Sequence, residues 1–220
     1  MRANPRGSKP YVDKKKRRIA TAVIAVLLIM AGVARAHDTF TLSRLAAKYR
    51  STVVREVRYH WGMEEKPSMF LAQIHAESGF KADAMSPVGA AGLTQFMPAT
   101  AAWIQGLYAK DLRELCPVKT GCPLDAGWAI RAMTIYDRHL FNRLAGESHL
   151  DKLAFVLTSY NSGLGWTLKE KASARLNGKS ANKWWCNVEH QKVKSMAAFR
   201  ESRWYVKNIL LNLRHHYELL

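Results

Sequence analysis

The chain has 220 residues, 48% of them apolar, and a formal net charge of +17. The length suits one domain plus an appendage, the apolar share supplies a packed core, and the basic balance favours a polyanionic partner such as nucleic acid, anionic lipid or bacterial wall polymer. No internal repeat or nucleic-acid motif accompanies the charge, so no nucleic acid is expected as a partner.

Residues 1–36 read as a targeting segment. They hold nine Lys/Arg against Asp13, which is +8 and leaves +9 on the remainder. Lys14-Lys15-Lys16-Arg17-Arg18 precedes an uncharged apolar run, 19–34, and Ala34-Arg35-Ala36 gives the small-x-small pattern of a leader-peptidase site. The run is shorter than the roughly 20 residues that span a bilayer. This predicts a signal peptide cut after Ala36, or an uncleaved signal anchor with its basic end inside the cell. Either way the rest of the chain is exported across the inner membrane, to be periplasmic, secreted or membrane-anchored. The basic amino terminus also suits contact with an anionic membrane.

Beyond the leader, residues 39–61 predict an amphipathic helix, with Leu42, Leu45, Ala46, Tyr49, Val53, Val57 and Trp61 recurring at helical spacing. Gly62 ends it, so 37–63 forms the amino-terminal part of the domain. Pro67-Ser68 opens a second helix, Met69 to about Glu77, which places Phe70, Ile74 and Glu77 on one face before Gly79 stops it. Residues 80–92 read as loop. Thr94 to Ile104 reads as helix, interrupted or restarted by Pro98.

Cys116 and Cys122 flank a short turn-rich segment, and an exported chain permits a disulfide. The local Cys116–Cys122 pairing is preferred, with Cys186 able to pair with either. Their spacing lacks a zinc-type ligand pair, and no metal or cofactor is implied. Further helices are predicted over 125–144, about 150–160, and Ser195 to Leu213, with loop over 163–183. No run of alternating strands is evident. The fold class is therefore mostly α, in one domain from about residue 38 onward.

One carboxylate stands out. Glu77 lies near the carboxyl end of its helix, the negative end of the helix dipole. Desolvation by Phe70, Ile74 and Phe80 would add to that effect, and both disfavour the charged form. A carboxylic acid held protonated near neutral pH can give its proton to a glycosidic oxygen. Asp83 is the only other acid between Glu77 and Asp111, so a scheme with one acid fits this stretch. A surface Glu at a helix end is the plain alternative. Trp166, Trp184 and Trp185 are candidates for either sugar stacking or core packing, and His75, on another face, reads as structural.

Ala76-Glu77-Ser78-Gly79-Phe80, the run Gly-Ala-Ala-Gly-Leu-Thr-Gln-Phe-Met-Pro-Ala-Thr-Ala at 89–101, Tyr160-Asn161-Ser162-Gly163, and Glu201 with Tyr205-Val206 occur in that order. The set resembles the signature of lytic transglycosylases with the soluble-lytic-transglycosylase (SLT) catalytic domain, whose fold is similar to goose-type lysozyme. The resemblance covers about 64–212, within a catalytic domain placed at 64–213. It implies cleavage of the β-1,4 bond between N-acetylmuramic acid and N-acetylglucosamine in peptidoglycan glycan strands, leaving a 1,6-anhydro-muramoyl end. By the same resemblance Glu77 is the acid/base, Ser78 orients its carboxyl group, and Gln95 and Met97 line the sugar subsites. Tyr160 and Asn161 face Glu77 across the cleft, where the Tyr160 hydroxyl can bond to it or to the intermediate, and Glu201 and Tyr205 belong to the same cleft. Ser162 and Ser202 stand where the family commonly has Ala and Thr or Asn, and 165–194 is unusually basic and Trp-rich. Two alternatives stay open: a muramidase that admits water on the same fold, and a non-catalytic wall-binding or assembly subunit.

Overall fold

The computed structural model describes residues 44–218. The leader, its cleavage site and the first residues of the predicted amino-terminal helix lie outside the described residues. From Leu45 onward the chain forms one compact unit. Among the described residues, no helix is long and apolar enough to cross a membrane.

Helix α1 covers 44–61. Its inward face, Ala46, Tyr49, Val53, Val57 and Trp61, is buried at the predicted spacing. The Trp61 indole donates to the Thr134 carbonyl at 2.9 Å, tying α1 to a helix later in the chain. Helix α2, Pro67–Ser78, starts with proline at its first position, where no intrahelical N–H is lost. Every residue from Ser68 to Ile74 is buried, so α2 runs through the core rather than across its surface. It ends at Gly79, in the left-handed region (φ 59°), whose N–H closes on the His75 carbonyl at 2.9 Å.

Helix α3, Pro98–Leu107, and the short α4, Ala109–Leu112, follow. The helix predicted from Thr94 begins only at Pro98, because Thr94–Met97 is spent on a tight loop with Gln95 at φ 49°. Cys116 and Cys122 are disulfide-bonded, with Cα atoms 5.8 Å apart, and Cys186 is free and exposed. Helix α5, Ala126–Arg143, is capped by the Asp125 carboxylate, which accepts from the Trp128 N–H at 2.7 Å. Helix α6, His149–Ser162, begins with a reciprocal capping box between Ser148 and Asp151.

Two predictions need correction. Residues 163–183 are not loop throughout: Leu164–Leu176 forms helix α7. Its inward face is Thr167, Glu170, Lys171 and Ala174, a polar set without the apolar stripe that marks a helix. Glu170 Oε1 meets Arg203 at 2.6 Å and Lys194 at 3.3 Å, and the Lys171 ammonium donates to the Ala145 carbonyl at 2.8 Å. The last helix is not uniform either. Helix α8, Met196–Lys207, passes into a π-helical stretch, Asn208–Leu213, and a 3₁₀ turn, Arg214–Tyr217. These final turns pack against α2. The only pairing of strand type among the described residues is two isolated bridges, Met85 with Ala91 and Ala91 with Phe96.

Candidate active site

A cleft of about 360 Å³ opens between the end of α2, the 86–100 loop and helices α5, α6 and α8. The sequence dictates how its loop is held. Gly92 has φ +77°, and a Cβ there would lie 1.7 Å from the Pro123 carbonyl oxygen, so only glycine lets the loop pass the chain beyond the disulfide. The Gln95 amide donates to the Ala84 and Gly92 carbonyls at 3.1 and 2.8 Å, which staples the loop while the side chain lines the cleft. Met97, 41% exposed, stands in the cleft wall rather than in the core.

Glu77 lies at the last turn of α2, half-buried, and lines the cleft. Burial pushes its carboxyl up to about 8; a hydrogen bond from Tyr205 pulls the other way, and the Glu201 charge adds to the rise. The Tyr205 hydroxyl donates to Glu77 Oε1 from α8. Burial, and then the neighbouring Glu77, raise both the Tyr160 and Tyr205 phenols well above their ordinary value, so both remain donors.

The remaining predicted residues divide. Asn161 and Glu201 are brought together across the cleft, Nδ2 to Oε1 at 3.4 Å. Tyr160 lines the cleft, but its hydroxyl donates to the Thr94 carbonyl at 2.8 Å rather than to Glu77. Tyr205 takes that part instead. Ser78 also needs correction: its hydroxyl donates to the Leu93 carbonyl at 2.8 Å and to the Ile74 carbonyl at 3.4 Å. It pins the loop to α2 and has no bond to the carboxyl group it was expected to orient. His75 is structural, with Nδ1 2.7 Å from the Tyr217 hydroxyl. Phe80 stacks beside both rings of that pair, with centroids 5.9 and 5.8 Å away.

Two residues escaped the sequence reading. Trp204, 60% exposed, lines the cleft from α8. The signal was present: Glu201, Trp204 and Tyr205 fall at i, i+3 and i+4 on one helical face. The tryptophans singled out instead, Trp166, Trp184 and Trp185, do not line the cleft, and Trp184 is buried against Phe155. The second is Asp137 on α5, fully buried, with Oδ1 3.5 Å from the Gln73 amide and Oδ2 without a hydrogen-bond partner among the described residues. Burial, and secondarily Glu77, push its carboxyl well above the usual range. Its position within the apolar stripe of Ile130, Met133 and Leu140 was the available clue. Among the described residues no cluster of His, Cys, Asp or Glu is arranged to hold a metal ion.

The arrangement is thus a protonated carboxylic acid on the floor of an open cleft, held by one phenol and flanked by a second carboxylate, amides and an exposed indole. The chain is similar to the 70 kDa soluble lytic transglycosylase of Escherichia coli, with 26% identity and a TM-score of 0.50 over 78% of this chain and 24% of that one. It therefore spans about a quarter of that relative's length. No curated protein matches it. The Transglycosylase SLT domain matches residues 57–183, more than half of the chain and inclusive of Glu77, the 89–101 loop and Tyr160-Asn161, and this chain belongs to that family.

Proposed function

We propose that this chain is an exported peptidoglycan lytic transglycosylase with Glu77 as its single acid/base. The similar Escherichia coli protein is a lytic transglycosylase. The observation that carries the reading is a cleft carboxyl group pushed up to about 8, and so still protonated at neutral pH. Glu77 donates its proton to the glycosidic oxygen as the bond to muramoyl C1 breaks. The resulting carboxylate takes the proton of the C6 hydroxyl while that oxygen bonds to C1. The 1,6-anhydro ring closes, no water is consumed, and Glu77 ends protonated. Tyr205 fixes the carboxyl group through both steps. Gln95, Met97, Tyr160, Asn161 and Glu201 form the walls against which the sugars lie. The basic leader delivers the domain across the inner membrane and meets its anionic surface.

Glu201 favours a second reading. It is an exposed carboxylate in the same cleft, and a second carboxylate is what a hydrolase needs to activate water. Mass spectrometry of the soluble products from purified peptidoglycan sacculi separates the two. Anhydro-muropeptides from the wild type, reduced about 10²–10⁴-fold in Glu77→Gln, are the expected result. Reducing-end muropeptides would instead assign a muramidase. Undiminished cleavage by Glu77→Gln would refute the role of Glu77.

A further inference from the structure

A second groove, of about 700 Å³, lies between α1 and the start of α2 and shares no lining residue with the cleft. Arg50, Arg55 and Arg58 line it from α1, with Lys66 and Ser68 from the start of α2. Glu218 also lines it, but is ion-paired with Arg214 at 3.6 Å and faces His215 at 3.6 Å. Arg55 is shared with Glu56, at 2.9 Å. The cations therefore outnumber the acids, and the groove carries a positive field.

The start of α2 adds a directed element. Lys66 at the N-cap provides no side-chain acceptor, and Pro67 brings no N–H, so the start of this 12-residue helix meets the groove without a side-chain cap, while the Glu65 carboxylate accepts from the Lys66 N–H at 3.2 Å and faces His149 at 2.9 Å. Ser68 is the independent observation. It is 4% exposed, it lines the groove, and its Oγ has no hydrogen-bond partner among the described residues. A buried hydroxyl left unpaired is unfavourable unless water or a ligand completes it.

We propose that this groove binds a phosphate-bearing ligand, a phosphate monoester or diester. The phosphate oxygens accept from the Ser68 hydroxyl and the Arg58 and Lys66 side chains, while Val54 and Leu71 line room for the attached carbon skeleton. Arginine forks match phosphate geometry in a way that simple charge does not.

The test uses the full chain, with sn-glycerol 3-phosphate as the soluble probe and isothermal titration as the readout. Saturable binding is expected. The surface variant Arg58→Gln/Lys66→Gln should weaken it at least tenfold, and Ser68→Ala at least threefold. A second arm compares vesicles containing phosphatidylglycerol with vesicles of phosphatidylcholine alone. Wild type and variants share residues 1–36, so any difference between them reports the groove. Groove-dependent preference for the anionic vesicles identifies a lipid headgroup as the ligand. Saturable soluble binding without that preference identifies a soluble or polymer-borne phosphate. Failure to bind glycerol phosphate together with vesicle binding insensitive to the groove variants overturns the proposal. So does phosphate binding that these variants leave unchanged, which would mean diffuse surface charge.

Discussion

Glu56 on α1 and Glu77 on α2 are the same side chain, each withdrawn from water in one helical unit, and they are driven in opposite directions. Burial raises both. At Glu56 that rise is overcome by His60, Arg131 and Arg55, and the carboxyl falls to about 2. The geometry shows which partners matter most. Arg131 forks onto it at 2.9 and 3.3 Å and Arg55 reaches Oε1 at 2.9 Å, whereas His60 stands 3.7 Å away, at ion-pair rather than hydrogen-bond distance. Among the described residues no such cation acts on Glu77. Its partners are a phenol and a second carboxylate, and it stays near 8. The fold thus uses one carboxylate as a charged tie between helices and holds the other, at the cleft, with its carboxyl raised. The difference lies in the neighbours rather than in depth.

The largest test removes the cations' main contribution. Arg131→Met leaves the Glu56 charge buried with weakened compensation and is expected to cost about 3–5 kcal/mol, read from urea unfolding at pH 7. The double variant Arg131→Met/Glu56→Leu should recover much of that loss. Lowering pH should mimic the loss of the tie. Because Glu56 is depressed in the folded state, its contribution is present above its ordinary value of 4.5 and disappears as pH falls toward 2. An acid limb of unfolding that is identical in wild type and Glu56→Gln would contradict this.

Glu77 should behave with the opposite sign. Its folded value is raised, so between about 4.5 and 8 the folded chain holds a proton that the unfolded chain releases. Stability from this group therefore falls as pH rises through that window, by up to about 1.4 kcal/mol per pH unit. Glu77→Gln removes the slope and should melt above the wild type at pH 8, with a smaller difference at pH 5. Tyr205→Phe tests the partner that moderates the shift. The hydroxyl favours the ionised carboxyl group, so its loss should move the alkaline limb of the kcat/KM profile upward from about 8. It should also lower kcat about 10–100-fold, the value of one hydrogen bond to a charged group. A limb that moves downward would mean that Tyr205 acts otherwise.

Where the residues themselves announce burial, the sequence predicts the structure closely. Proline and glycine bracket α2 at Pro67 and Gly79, the apolar stripe of α1 is the buried one, and Glu77 lands at a helix end within a cleft. Reading fails where polar groups do the packing. Helix α7 turns Glu170 and Lys171 inward, and their partners, Arg203 and Asn182, cannot be guessed from spacing. The same limit explains Ser78, for which the family resemblance implied a bond to the Glu77 carboxyl group. Its hydroxyl turns to Leu93, 15 residues on, because that carbonyl lies beside α2 only after the loop has folded back. Asp137 lies 60 residues beyond Glu77 in sequence, and only the fold brings it within electrostatic reach of that carboxyl group.

Trp204 sharpens the contrast between the two glutamates from the side of the substrate. Glu56 is buried and tied to Arg131. Under the proposed role Glu77 needs an open approach, and beside it an indole on the face of α8 shared with Glu201 and Tyr205 stays 60% exposed in the cleft. Such a ring gains by covering an apolar sugar face. At about 25 cal/mol per Å², hiding roughly 50 Å² contributes about 1.3 kcal/mol. Trp204→Ala should therefore raise KM about tenfold, leave kcat within about twofold, and leave the melting temperature unchanged, while Trp204→Phe recovers most of the affinity. A fall in kcat with KM unchanged would move Trp204 from holding the glycan to shaping the acid beside it, and the pH profile of the variant, compared with that of Tyr205→Phe, would show which neighbour transmits the effect.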